Sequence, residues 1–333
     1  MTRRIGWYVH HHGRGHLTRF LAIAPHLPGD VQVVSTLPPP SDLPRGCRWL
    51  RVPRDDEAED GADPRRSDPT VGGLLHWAPR GHAGHRERLA AIARLIAEQR
   101  PDVFVVDVSV EVTLLARMLG VPTVAFTQPG ERDDEAHRLG FRAADTVIAP
   151  WPAGAVPVPH LAQMAEKVVH TGGISRFDGR GASGDRGDEI VLLTGAGGAD
   201  HGDEHIAAAA ADLGRPWRVL GGDSWVDDPW PALTEAAVVV AWAGQNSVAD
   251  LAAARAPAIV IPQRRPFGEQ HATAGALRRL HLAVVRERWP AASDWPALLE
   301  RAAVATPDWD RWQVAGAARR AAEAILRTAG GTT

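Results

Sequence analysis

The chain has 333 residues, with 37 Lys and Arg against 40 Asp and Glu, a formal net charge of −3. That balance gives no electrostatic case for a nucleic-acid or anionic-membrane partner, and no stretch reaches the roughly 18 uncharged apolar residues of a transmembrane span. Cys47 is the only cysteine, which excludes an intramolecular disulfide framework and thiolate metal clusters and fits a reducing cytoplasm.

Met1-Thr2-Arg3-Arg4 runs directly into a strand pattern at 5–10, so no signal peptide is expected. Short β-branched runs then alternate with amphipathic Ala/Leu/Arg stretches, which predicts βα units around parallel sheets. In the first half, strands are expected at 5–10, 31–35, 103–106, 123–126 and 146–149. Leu89, Ile92, Leu95 and Ile96 share one face at spacings of three to four, and Pro101 closes that helix. Between them, 54–73 carries five Asp, two Glu and two Pro without an apolar period. It is expected to be a solvated, mobile connection, with a lid over an acceptor as the alternative. The proline-rich 151–168 breaks both periods and is expected to link a first domain, 1–150, to a second, 169–311.

Lys167 is the single lysine, against 36 arginines. It lies outside any Gly-Lys-Ser/Thr context, so a Walker-type phosphate loop is excluded and pyridoxal chemistry has one candidate residue. The second half repeats the strand rhythm at 189–193, 217–220, 238–241, 258–261 and 282–285. A last helix at 312–329 can return to the first domain. The fold class expected is α/β, with two doubly wound domains and ligands in the crevice between them.

The first βα turn reads His10-His11-His12-Gly13-Arg14-Gly15-His16. Its glycines permit a tight turn at a helix N-terminus on the carboxyl edge of the sheet. It lacks the third glycine and the following acidic residue of a dinucleotide fingerprint, so no nicotinamide cofactor is expected. Four histidines in seven residues raise the question of a metal. Adjacent strand residues face opposite ways, however, and no carboxylate or cysteine completes the set, so none is expected. Asp107 ends a strand on the same edge, where it can orient a histidine or cap the helix near Val110. His76 and Trp77, after the acidic stretch, can line an acceptor site or pack in the core.

In the second half, Thr171-Gly172-Gly173-Ile174-Ser175-Arg176 precedes a glycine-rich turn, Gly195-Ala196-Gly197-Gly198, directly after a strand. Amides of such a turn with a nearby arginine suit a diphosphate, whereas glycines needed only for close packing give the same pattern. Trp225-Val226-Asp227-Asp228-Pro229 follows, then Gly244-Gln245-Asn246-Ser247 with Asp250, then Pro262 and Glu269-Gln270.

This half resembles the donor-binding domain of GT-B glycosyltransferases, closest to family 28, which includes the peptidoglycan N-acetylglucosaminyltransferase that makes lipid II. The whole chain matches that two-domain plan. The resemblance implies a metal-independent, inverting enzyme of the hexosyltransferase type that uses a nucleotide-diphosphate sugar, UDP-linked by analogy. It places Trp225 against the nucleobase, the Val226 main chain on its edge and Asp250 on the ribose. Arg176 and the 195–198 turn fall on the phosphates, Gly244 to Ser247 on the donor turn, and Glu269 and Gln270 on the sugar hydroxyls. Gly13-Arg14-Gly15-His16 is similar to that family's glycine turn, with His11 and His12 where it has glycines. Asp107 resembles the aspartate that pairs with the catalytic histidine in family 1. His16 is then the base and His12, Gly13, Arg14 and Gly15 border the acceptor, which is a small molecule or a lipid-linked one at the inner membrane face. A 2-epimerase and a non-catalytic nucleotide-sugar-binding protein share the scaffold and stand as alternatives.

Overall fold

A computed structural model describes residues 3–59, 61–181, 185–195 and 217–330. The first sheet is built from β1 (Arg3–Tyr8), β2 (Gly29–Ser35), β3 (Cys47–Arg51), β4 (Val103–Asp107), β5 (Thr123–Phe126), β6 (Thr146–Ala149) and β7 (Val168–His170). Their order is β3-β2-β1-β4-β5-β6-β7, every pair parallel. The second sheet takes β8 (Ile190–Gly195), β9 (Trp217–Gly221), β10 (Val238–Trp242), β11 (Ala258–Ile261) and β12 (Val284–Val285), in the order β12-β11-β10-β8-β9, again all parallel.

The helices of the first half are α1 (Gly15–Ile23), α2 (Ala83–Gln99), α3 (Val110–Met118) and α4 (Glu135–Ala143). Those described in the second are α5 (Trp230–Glu235), α6 (Gln245–Ala253), α7 (Glu269–Arg279), α8 (Trp295–Ala303) and α9 (Ala317–Gly330). None of the described helices is long and apolar enough to cross a membrane.

Each sheet is buried on both faces, as its near-continuous Val/Ile strands require. On the first sheet, Ile5, Trp7, Val31, Val103 and Val105 pack under α1 and the alanine face of α9, while Tyr8, Val34, Phe104 and Val106 pack with α2 and α3. Gly6 makes the second layer possible: a Cβ there would sit 2.4 Å from the Phe104 ring. The C-terminal helix α9 thus belongs to the first domain's core although it follows the second domain. Gly173 N donates to Trp312 O and Arg320 Nε to Thr171 O where the chain crosses back.

Three expectations need correction. The strand β7 pairs with β6, so the first sheet runs through His170 and a domain start at 169 falls inside it. Only three residues long, β7 offered no periodicity to read. The strand β3 was also missed, because Cys47-Arg48-Trp49-Leu50-Arg51 forms a partly exposed edge without a clean alternation. The acidic stretch 54–73 is anchored rather than solvated throughout. Asp55 is fully buried, with Arg88 Nη1 donating to its Oδ1 at 2.9 Å and His85 Nδ1 3.0 Å from its Oδ2. The same guanidinium donates to the Tyr8 hydroxyl, which burial pushes up to about 12.

Candidate functional site

Both sheets change direction next to their first strand, and both crevices open toward each other. In the first sheet the reversal lies between β1 and β4, whose following loops carry His10–His16 and Asp107. In the second it lies between β8 and β10, followed by Gly195 and Gly244. Such reversals are where open α/β sheets bind ligands.

Across the first reversal, His16 Nδ1 lies 3.0 Å from Asp107 Oδ1, both side chains being buried. His16 Nδ1 is nonetheless buried without a hydrogen-bond partner, and so is Asp107 Oδ2. Asp107 does not cap α3; Ser109 does, accepting from Val112 N. Burial works against ionising Asp107, and the charges of Arg19 and then His16 overcome it and hold the carboxyl low. Val108 has φ +66°, a left-handed conformation that is costly for a β-branched residue, immediately after this aspartate. Beside it is a cavity lined by Val108, Val110, Phe126 and Phe141, with Arg132 and His137 at its wall.

The two domains touch here. Asn246 Nδ2 donates to Gly15 O at 2.9 Å, Arg19 Nη2 donates to Gln245 Oε1 at 3.0 Å, and the Arg14 guanidinium lies over the Trp225 ring. Gly13, at φ +69°, makes the turn that precedes Arg14. Gly244 is the N-cap of α6, with Gln245, Asn246 and Ser247 in its first turn.

His10, His11 and His12 lie beyond the end of β1, so they do not alternate faces. Their rings stack at 4.7 to 5.2 Å with interplanar angles of 17° to 29°. The expectation that strand alternation separates them is therefore wrong. One ring nitrogen of each lies within 4.8 Å of the other two, close enough for the three histidines to share a cation. His12 N donates to His10 Nδ1, and burial lowers the basicity of His10 and His11.

In the second domain, Asp250 is buried on α6, where Ser175 Oγ donates to its Oδ1 at 2.6 Å and Arg176 Nε stands 4.0 Å from Oδ2. Desolvation pushes its carboxyl up to about 6, against the bond from Ser175 and the charge of Arg176. Arg176 Nη1 donates to Asp227 O, and Trp225 Nε1 to Asp227 Oδ1. Val226 is half-buried against the core, and Asp228 pairs with Arg180, so the two aspartates serve the loop. Gly195 ends β8; Gly197 and Gly198 lie outside the described residues.

Glu269 opens α7 with a carboxylate oxygen 4.0 Å from Arg132 Nη2 of the first domain. Gln270 is buried, and its Oε1 accepts from Gln263 N at 2.9 Å, holding the loop after β11. His76 and Trp77 are tied to α3 through Glu111 Oε1, which accepts from both backbone amides. The Trp77 indole donates to Asp55 O, away from the His16 pair's contacts.

His76 instead joins a group that sequence reasoning did not assemble. Its Nε2 lies 3.0 Å from Asp134 Oδ1, and Asp134 also bonds His137 Nδ1. His137 Nε2 accepts from Arg132 Nη1, so both its ring nitrogens are engaged and the cluster is closed as a hydrogen-bonded unit. Burial first, then the neighbouring charges of His76 and Arg132, bring His137 down to about 4. Phe267 of the second domain packs on it, 4.8 Å between centroids. Arg19, Ser175, Arg132, Asp134, His137 and Phe267 were the residues missed. Arg19 alone left a signal, three positions after His16 on one helix face.

No family model and no curated protein matches this chain. Solved structures do. The glycotransferase of kitacinnamycin superposes with a TM-score of 0.68 at 17% identity, covering 98% of this chain and 99% of that one. MurG of Acinetobacter baumannii gives 0.64 at 18% identity, covering 98% and 99%. A UDP-glucosyltransferase from Polygonum tinctorium, described as capable of glucosylating indoxyl, gives 0.69 at 14% identity, covering 100% and 99%. The chain has the fold of these proteins from end to end: GT-B, two Rossmann-like domains facing each other across a cleft.

Proposed function

We propose that the protein is a glycosyltransferase that moves a sugar from a nucleotide-diphosphate donor, UDP-linked, to an acceptor hydroxyl with inversion at the anomeric carbon. The observation that carries this reading is the His16–Asp107 pair at one sheet reversal facing the donor helix α6 of the other across the Arg19–Gln245 and Gly15–Asn246 contacts.

In this reading the nucleobase lies on Trp225 with its edge at the Val226 main chain. Asp250 accepts from the ribose hydroxyls, Arg176 and the glycine-rich sequence 195–198 hold the diphosphate, and Glu269 meets the sugar. His16 takes the proton from the acceptor hydroxyl as its oxygen attacks the anomeric carbon. The bond to the diphosphate oxygen breaks, and the departing charge is met by Arg176 and backbone amides. Asp107 orients the imidazole and stabilises it once protonated. No metal ion takes part, so chelation leaves turnover intact.

The resemblance of the second half to family 28 and the shared fold with the solved glycosyltransferases support this assignment. Incubation with a panel of nucleotide sugars, with and without phenolic, alcoholic and lipid-linked acceptors, tests it by mass spectrometry. Acceptor-dependent release of UDP and a glycosylated product are expected. Epimerised sugar from donor alone, or binding without turnover on any acceptor, overturns the reading.

A further inference from the structure

Arg19 is three residues after His16 on α1, so both side chains leave the same face of the helix. Its guanidinium is 3% exposed and meets two partners from opposite domains. Nη1 donates to Asp107 Oδ1 at 2.7 Å, Nη2 donates to Gln245 Oε1 at 3.0 Å, and the group lies over the Phe126 ring at 5.2 Å. The oxygen that Arg19 occupies is the one that faces His16 Nδ1, while Asp107 Oδ2 is buried without a partner.

We propose that Arg19 is a positioning residue of the proton-transfer pair, setting how much of the Asp107 charge reaches His16 and linking that setting to the donor helix through Gln245. The inference rests on the glycosyl-transfer reading above.

The physical reasons are two. A buried carboxylate beside one imidazole would favour the imidazolium, and a second cation on the same oxygen opposes that preference. Arg19 also claims Oδ1 with the shorter contact, 2.7 Å against 3.0 Å, while His16 Nδ1 and Asp107 Oδ2 are left without hydrogen-bond partners. Other groups around His16 do not duplicate the charge. From the turn after β1 it meets the ring of His10 at 5.8 Å, which burial keeps neutral, and α6 presents the uncharged Gln245 and Asn246. Because Gln245 is in the first turn of the donor helix, any donor-driven shift of that turn reaches Asp107 through one guanidinium.

The test compares wild type with Arg19→Gln, Arg19→Lys and Gln245→Glu, following His16 ring signals by NMR titration of the donor-free protein. The signals are assigned by their loss in His16→Gln. Steady-state kinetics on the turned-over nucleotide sugar run in parallel. In Arg19→Gln the His16 titration midpoint and the acid limb of kcat both move up by about one pH unit or more. At neutral pH kcat falls at least several-fold while donor KM changes by less than about threefold. Arg19→Lys, which keeps the charge, returns the midpoint toward wild type. Gln245→Glu, which gives Arg19 an ionic partner of the same shape, moves the midpoint up with Arg19 intact, and decides the matter if Arg19→Gln does not fold. A merely structural role lowers activity without moving the midpoint; an unmoved midpoint in Arg19→Gln and Gln245→Glu overturns the inference. Absence of turnover by wild type with every nucleotide sugar defeats the glycosyl-transfer reading instead, and the NMR comparison remains valid without it.

Discussion

Arg14 and Trp225 stack across the cleft, the guanidinium carbon 4.7 Å from the indole centroid. One comes from the glycine turn after β1, the other from the loop after β9, and the contact covers a face of the ring on which a nucleobase would lie. A partly exposed cation–π contact is worth about 0.5–1 kcal/mol, so displacing it weakens ligand binding by that amount.

Removing the competitor should therefore help the ligand. Arg14→Ala is expected to tighten UDP binding by about two- to fivefold, the equivalent of that contact. Trp225→Ala is expected to weaken it by about 1–3 kcal/mol, the scale of base–aromatic stacking in single-stranded nucleic-acid sites. Isothermal calorimetry with UDP measures both. A loss of affinity in Arg14→Ala would assign the guanidinium to the diphosphate, and unchanged affinity in Trp225→Ala removes the ring from the site.

Asp250 supplies a pH prediction. Its carboxyl is pushed to about 6 in the folded chain, above the unfolded value near 4. An acid shifted upward takes up a proton on folding between those values. Its contribution therefore favours the folded state at low pH and is lost as pH rises through about 6, by up to about 3 kcal/mol. Asp250→Asn should remove this slope from the urea-unfolding free energy of the ligand-free protein between pH 4 and 6. Ribose hydroxyls need the ionised form, so UDP affinity should rise through the same interval in wild type and stay flat, and weaker, in the variant. UDP and UDP-sugar should lose equally; a loss confined to the sugar-bearing ligand places Asp250 at the sugar.

The proton-transfer pair is read from turnover. His16→Ala should lower kcat by about 10²–10⁴-fold with donor affinity nearly intact, because the histidine stands on the first domain and the proposed donor contacts lie mainly on the second. Asp107→Asn should also lower kcat, by loosening the imidazole and weakening support for its protonated form. Near-normal transfer by His16→Ala shifts the search for the base to His12 or Asp107.

The buried network under the acidic stretch makes a stability prediction. In Arg88→Met, Asp55 keeps only the neighbouring His85 for its buried carboxylate, and the expected loss is about 3–5 kcal/mol. Denaturant unfolding of the ligand-free protein measures it. A loss below about 1 kcal/mol would mean that the 54–73 segment relaxes and hydrates Asp55, as a solvated loop can.

The sequence by itself determined the sheets and the direction of their strands. Repeated β-branched runs with intervening amphipathic helices admit little but parallel βα winding, and glycines at 13, 15 and 244 marked the turns on the carboxyl edges. It also offered both members of the His16–Asp107 contact, since residue 16 follows the glycine turn after the first strand and residue 107 ends a strand on the same edge. The weak elements were beyond it. Three-residue β7 and the edge strand β3 are set by pairing with β6 and β2, which local periodicity does not encode. Tertiary structure alone decided how the site is wired. Arg19 reaches Asp107 over 88 positions and Gln245 over 226, distances across which no spacing rule carries information. It likewise turned Gln270 inward onto Gln263 and fixed Asp55 beneath Arg88, because a buried polar group takes whatever partner the packing brings within reach.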